Sequence, residues 1–138
     1  MRQNAEVVAE RRRVAARLHA TFSGVPGIIP GPLDSADFGA TFHLFLLRVD
    51  ERIRGGIQAM KQELSARGVT QIPHFCPLYH YKLFEQLGYD RERDKAGCPN
   101  AERAFFQEYT HLPLYGLREE QIAYMEDAVI ECARKLCQ

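Results

Sequence analysis

The run from Thr41 to Val49, T-F-H-L-F-L-L-R-V, limits most strongly what this chain can fold into. Its phenylalanines and leucines fall on both faces of an extended chain, so it reads as a central strand covered on both sides. Such a strand needs helices to cover it, and the chain offers an amphipathic segment at each end. Residues 2–22 repeat apolar side chains at Val7, Val8, Val14, Ala15, Leu18 and Phe22. Residues 119–136 do so at Ile122, Met125, Val129, Ala133 and Leu136. Both spacings are helical, and Glu119 and Glu120 sit at the positive end of the second helix.

The connecting stretches follow from local chemistry. Residues 24–37 are dense in Gly and Pro, which makes them a loop or a short edge strand at Ile28-Ile29. Asp50 is placed to cap a helix with the apolar stripe Ile53, Ile57, Met60 and Leu64, and Gly68 supplies its left-handed stop. Gly55-Gly56 falls within that stripe and reads as a close-packing spot. Residues 69–72 read as a short strand, 79–87 as a short helix ended by Gly88, and 89–97 as a charged loop. Pro99 suits the first turn of another short helix, with Ala101, Ala104 and Phe105 facing inward. Residues 109–114 read as a last strand, with Pro113 marking an edge or its end. The expected fold class is α/β, close to α+β. A short, largely antiparallel sheet of about three strands packs against helices, in a single domain over residues 1–138.

Composition narrows function mainly by exclusion. A chain of 138 residues can bury a core without disulfides or metals. Formal net charge is zero, so nothing global favours nucleic acid or an anionic membrane. Arg11-Arg12-Arg13 reads as the solvated face of the first helix. The four cysteines, Cys76, Cys98, Cys132 and Cys137, form no C-x-x-C pair, and no signal peptide or long apolar run is present. A cytoplasmic chain with reduced thiols is expected.

Chemistry concentrates in Ile72-Pro73-His74-Phe75-Cys76-Pro77-Leu78-Tyr79-His80-Tyr81. Two prolines keep this segment extended or looped. The spacing H-x-C-x3-H matches no common structural zinc pattern, so no metal site is assigned. Cys76 lacks an identifiable orienting group for nucleophilic work with His74 or His80. There is no Gly-rich phosphate loop with G-K-[ST]. What remains is a polar, aromatic loop suited to hydrogen-bonding a polyhydroxylated ligand. Packing competes with that reading: Tyr79, Tyr81 and Phe84 at helical spacing are often core, and His111 reads as a strand histidine satisfied locally. For His74 and His80 the functional and packing readings stand level.

Four local patterns, in order, carry a resemblance. Gly68-Val69 through His74-Phe75-Cys76-Pro77-Leu78-Tyr79-His80 resembles the "GI…HY-x-PLH" segment of the DegT/DnrJ/StrS aminotransferases. Pro99-Asn100-Ala101-Glu102 followed by Leu112-Pro113-Leu114-Tyr115 resembles their "LP-x-AE…SLPLYP" segment. Leu117-Arg118-Glu119-Glu120-Gln121-Ile122 is similar to "LTEEQI", and Arg11 to Ala15 to an "RR-x-IA" helix. The resemblance covers the small C-terminal domain of these enzymes, which aminate keto-sugars and cyclitols with pyridoxal phosphate. Phe75 stands where Tyr is usual. Tyr79 stands where the second His is usual, with His80 one place later. Arg118 replaces a capping Thr.

The resemblance implies a division of labour. In the family the aldimine lysine, the carboxylate on the pyridine nitrogen and most phosphate contacts belong to a large N-terminal domain with no counterpart in this sequence. None of Lys61, Lys82, Lys95 and Lys135 lies on a candidate cofactor loop, so this chain alone is expected to bind no cofactor and not to transaminate. His74, with Tyr79 or His80, is the implied substrate contact, and no residue is assigned as catalytic. The implied partners are a large-domain chain or a second copy, and a keto-sugar or cyclitol. Nucleic acid and membrane are not expected. A cut fragment, a split-gene half and a diverged stand-alone domain all fit. The competing reading is a non-catalytic binding or assembly module that keeps the fold and self-associates through an apolar patch; a metal- or thiol-dependent enzyme ranks last.

Overall fold

The computed structural model describes residues 2–34, 39–72 and 75–137. The first helix, α1, spans Arg2–Phe22 and sends Val14, Ala15, Leu18 and Phe22 into the core. The chain then turns into a short strand, β1 (Ile28–Pro30). At Gly27 the turn passes so close to Ile53 that an added Cβ would lie 2.5 Å from its Cδ1 atom. Only glycine fits there, because φ is also +82°.

Strand β2 (Phe45–Val49) pairs antiparallel with β1 and with β3 (Tyr109–Leu112), giving the order β1-β2-β3. The predicted central strand is therefore central, but it is shorter than expected and covered on one face only. Phe45, Leu47 and Val49 are buried, Leu46 is half-buried and Arg48 is exposed. The core explains this. The buried residues of the helices, including Leu18 and Phe22, Ile57 and Met60, Ile122 and Val129, form one cluster with Phe45, Leu47 and Leu112. The helices stack on one another against a single side of the sheet.

Helix α2 covers Gly56–Ala66 and begins later than the stripe suggests. The Asp50 carboxylate accepts the Arg52 backbone N–H at 2.9 Å and pairs with the Arg52 guanidinium, forming a local turn instead of a helix cap. Ile53 bridges Cys137, and the Arg54 N–H donates to the Leu136 carbonyl at 3.0 Å. Gly56 opens the helix at φ +58°, where an added Cβ would sit 3.1 Å from the Gln107 carbonyl oxygen. The close-packing reading of this pair fits, though its place is the helix entry. At the far end Gly68 takes a left-handed conformation, and the Val69 N–H reaches back to the Leu64 carbonyl at 2.9 Å.

The stretch expected as a strand at 69–72 makes a single bridge, Ile72 to His111. A 3-10 turn (Leu78–His80) leads into α3 (Lys82–Gln86). Residues 89–97, expected as a loop, contain helix α4 (Arg91–Gly97). Asp90 caps it by accepting the Arg93 N–H at 3.1 Å, and Glu92 and Asp94 favour its positive end. Helix α5 (Pro99–Arg103) starts at its proline as expected, with Ala101 exposed and Ala104 and Phe105 half-buried in the π-helical turn that follows (Ala104–Glu108).

The last helix, α6, spans Glu119–Leu136 and buries all five positions of its predicted stripe. Arg118 gives no side-chain cap, as expected from a side chain that only donates. Half of a capping box survives, because Gln121 Oε1 accepts the Arg118 backbone N–H at 2.9 Å. Glu126 lies buried between α6 and α1. Its carboxylate accepts Arg17 Nε at 3.0 Å, Arg17 Nη2 at 2.5 Å and the Thr21 hydroxyl at 2.7 Å.

Candidate functional site

The segment 72–81 is bonded to the sheet at its upstream end and closes on itself in a turn downstream. Upstream, the Ile72 N–H donates to the His111 carbonyl of β3 at 2.9 Å. Downstream, the 3-10 turn closes through the His80 N–H to the Pro77 carbonyl and the Tyr81 N–H to the Leu78 carbonyl, both at 3.0 Å. Pro73 and His74 lie outside the described residues, so the structure does not place that expected substrate contact.

Tyr79 and His80 turn inward. His80 Nε2 stands 2.6 Å from Glu102 Oε1, on the first turn of α5, and Nδ1 stands 2.9 Å from Arg91 Nη2 at the start of α4. The imidazole meets Phe106 edge-on at 5.3 Å and Tyr79 at 5.0 Å. The Tyr79 hydroxyl is buried and makes no hydrogen bond of ordinary geometry. Burial and the neighbouring Glu102 carboxylate push its phenol up to about 12, so it stays neutral. Glu102 is held below the usual carboxylate range, first by its bond to His80. Burial raises the Cys76 thiol, which suits packing better than nucleophilic work.

Sequence reasoning singled out Tyr79 and His80 but gave no role to Arg91, Phe106 or the Glu102 carboxylate. These partners come from 11 to 26 residues downstream, and no spacing rule links a loop histidine to a carboxylate on a later helix. The capping pattern around Asp90 was the one local signal that could have placed Arg91 on a helix.

The base of this network is tied to the core. Gln58 of α2 donates to the Phe106 carbonyl at 2.8 Å, and Phe105 stacks edge-on with Phe106 and Tyr109 at 4.9 and 6.2 Å. Beside it runs a cleft of about 480 Å³ whose lining includes Leu78, Tyr79, Phe84 and Tyr89 together with the charged Arg93 and Asp94. Among the described residues no three His, Cys, Asp or Glu side chains converge to hold a metal ion.

The four lysines are dispersed. Lys135 pairs with Glu63 at 2.6 Å, and Lys82 and Lys95 are exposed on α3 and α4. Lys61 lies over the Phe105 ring at 5.6 Å, and burial lowers its ammonium pKa. A pyridoxal phosphate site needs a lysine, a carboxylate for the ring nitrogen and a phosphate cradle brought together. Burial is what shifts Lys61, and the cleft beside Tyr79 is lined by no lysine. These residues do not fit the cofactor.

The model of the DegT/DnrJ/EryC1/StrS aminotransferase family matches residues 1–130. The chain belongs to this family. Its fold recurs in a putative sugar aminotransferase of Streptococcus pneumoniae, Spr1654, in its PMP-form, with a TM-score of 0.79 and 24% identity over 96% of this chain and 32% of that one. The aminotransferase TlmJ of Streptoalloteichus hindustanus gives 0.76 and 26% over 94% of this chain and 32% of its own. S. venezuelae DesV, solved in complex with a ketimine intermediate, gives 0.71 and 26% over 91% and 32%. No match was found among curated proteins. The chain thus spans about a third of the length of these solved proteins. No helix among the described residues is long and apolar enough to cross a membrane.

Proposed function

We propose that this chain is the small C-terminal domain of a cytoplasmic family aminotransferase acting on a keto-sugar or cyclitol, and that segment 72–81 forms one lip of its substrate pocket. The observation that carries this reading is the family match over residues 1–130 together with the recurrence of the fold in sugar aminotransferases. In the complete enzyme pyridoxal phosphate would supply the amino-transfer chemistry from a large domain, with an amino acid such as glutamate or glutamine as donor. The present chain contributes a wall. His74, Tyr79 and His80 are the candidate side chains of that wall.

The test replaces the corresponding third of the Streptococcus pneumoniae enzyme with this chain and follows the cofactor spectrum. Conversion to the PMP form by an amino donor, then reversal by a ketone, is the expected result. His74→Ala should slow the ketone half-reaction more than the donor half-reaction. A chimera that folds and binds cofactor but converts neither substrate contradicts the small-domain reading. An active chimera indifferent to changes throughout the lip contradicts the pocket assignment.

One observation favours the assembly-module reading. Phe75, Leu78, Leu83 and Leu87 expose 68%, 62%, 59% and 63% of their surface along one stretch of chain. A large-domain partner chain or a second copy would cover them. Sedimentation of the chain alone over a range of concentrations distinguishes the two: self-association points to a homodimer, and a monomer leaves the surface to the larger domain.

A further inference from the structure

We infer that Glu102 and Arg91 clamp His80 in a single neutral tautomer, making His80 and Glu102 positioning residues that hold the downstream end of the lip. The word lip rests on the reading of 72–81 as a pocket wall, while the clamp itself does not.

The donor and acceptor inventory fixes the tautomer. A guanidinium is always charged and only donates, so the His80 Nδ1 atom 2.9 Å from Arg91 Nη2 presents its lone pair. Glu102 is ionised at neutral pH and only accepts, so Nε2, 2.6 Å from its Oε1 atom, carries the proton. A doubly protonated ring would point an N–H at the guanidinium. Both ring nitrogens are thereby committed, and the side chain is only 12% exposed. The Tyr79 hydroxyl beside it is buried.

The clamp also has a rigid base. Glu102 precedes the π-helical turn whose Phe106 carbonyl is bonded to Gln58 of α2, and Phe106 itself packs on the imidazole. His80 therefore couples the downstream end of the lip to the core, while Ile72 couples the upstream end to β3.

Nitrogen-15 spectra of the imidazoles, recorded on the whole 138-residue chain above the ordinary histidine titration range, test this directly. The expected wild-type signal is one neutral Nε2–H tautomer with a slowly exchanging Nε2 proton. Glu102→Ala should abolish that slow proton, and Glu102→Gln, which keeps an acceptor oxygen, should retain it. The amide protons of His80 and Tyr81 should exchange about tenfold to a hundredfold faster in Glu102→Ala, as expected for loss of a bond to a charged group, with α1 and α6 unchanged. A cationic ring, an Nδ1–H tautomer or a fast Nε2 proton in the wild type overturns the clamp. So does exchange of those amides within about threefold of wild type in Glu102→Ala, measured against the same principle. If that variant does not fold, the wild-type and Glu102→Gln spectra decide alone. These readouts involve no cofactor, so the clamp and the aminotransferase reading can fail independently.

Discussion

Replacing Arg17 with methionine should destabilise the domain by about 2–3 kcal/mol, because it strands a buried carboxylate. Glu126 is 7% exposed and accepts two bonds from Arg17 Nε, one from Nη2 and one from the Thr21 hydroxyl. Methionine preserves most of the apolar stem but leaves only the threonine bond. Breaking a fully buried pair costs about 3–5 kcal/mol, and the figure is reduced here because 35% of the Arg17 side chain meets solvent. The bonds from Arg13 and Arg17 to the exposed Glu119 add little. With a urea slope of about 2 kcal/mol/M, the midpoint followed by circular dichroism should fall by roughly 1 M. The double variant Arg17→Met/Glu126→Leu should recover most of the loss, since no unpaired charge remains. A single-variant cost below about 1 kcal/mol, or a double variant equal to the sum of the singles, would refute the argument that this pair is energetically buried.

Gly56→Ala should cost about 1–2 kcal/mol in the same assay, since it combines a positive φ with the Gln107 carbonyl at 3.1 Å; Gly97→Ala, which meets open space, should be near neutral. Leu47→Ala, at a fully buried position on the central strand, should cost about 2–5 kcal/mol by leaving a cavity beneath the helices. Acid should destabilise the chain. Glu102 is held low chiefly by His80, Glu63 by Lys135 and then Arg67, and Asp50 by Arg52. Their stabilisation is complete above the ordinary values of 4.5 for Glu and 3.8 for Asp and is lost as pH falls through the lowered folded values. Urea midpoints across that range should therefore drop, and midpoints that rise on acidification would contradict these pairings.

Elements governed by local chemistry were legible in the sequence. The two long helices carry complete apolar stripes, Gly68 and Gly88 mark stops with positive φ, and Pro99 opens a helix. Three misreadings share a cause in tertiary context. Ile53 has the spacing of the α2 stripe but serves a bridge to Cys137. The run 41–49 is apolar on both faces, yet only one face receives the helices, and Phe42 breaks the strand with φ +46°. Residues 89–97 have no apolar stripe because α4 is a surface helix with no buried residue, so periodicity was silent while the Asp90 cap was informative. At the candidate site, the residue types of Tyr79 and His80 were visible. Their inward orientation was not, because Glu102 and Arg91 arrive from elements further along the chain.

A chain that supplies a pocket wall and not the catalytic lysine should form no saturable adduct with pyridoxal phosphate. Titration with the cofactor, followed by borohydride reduction and intact-mass measurement, should show no aldimine band beyond the weak, unsaturated reaction of exposed lysines. A single stoichiometric adduct abolished by changing one lysine, Lys61 above all, would contradict the pocket-wall reading.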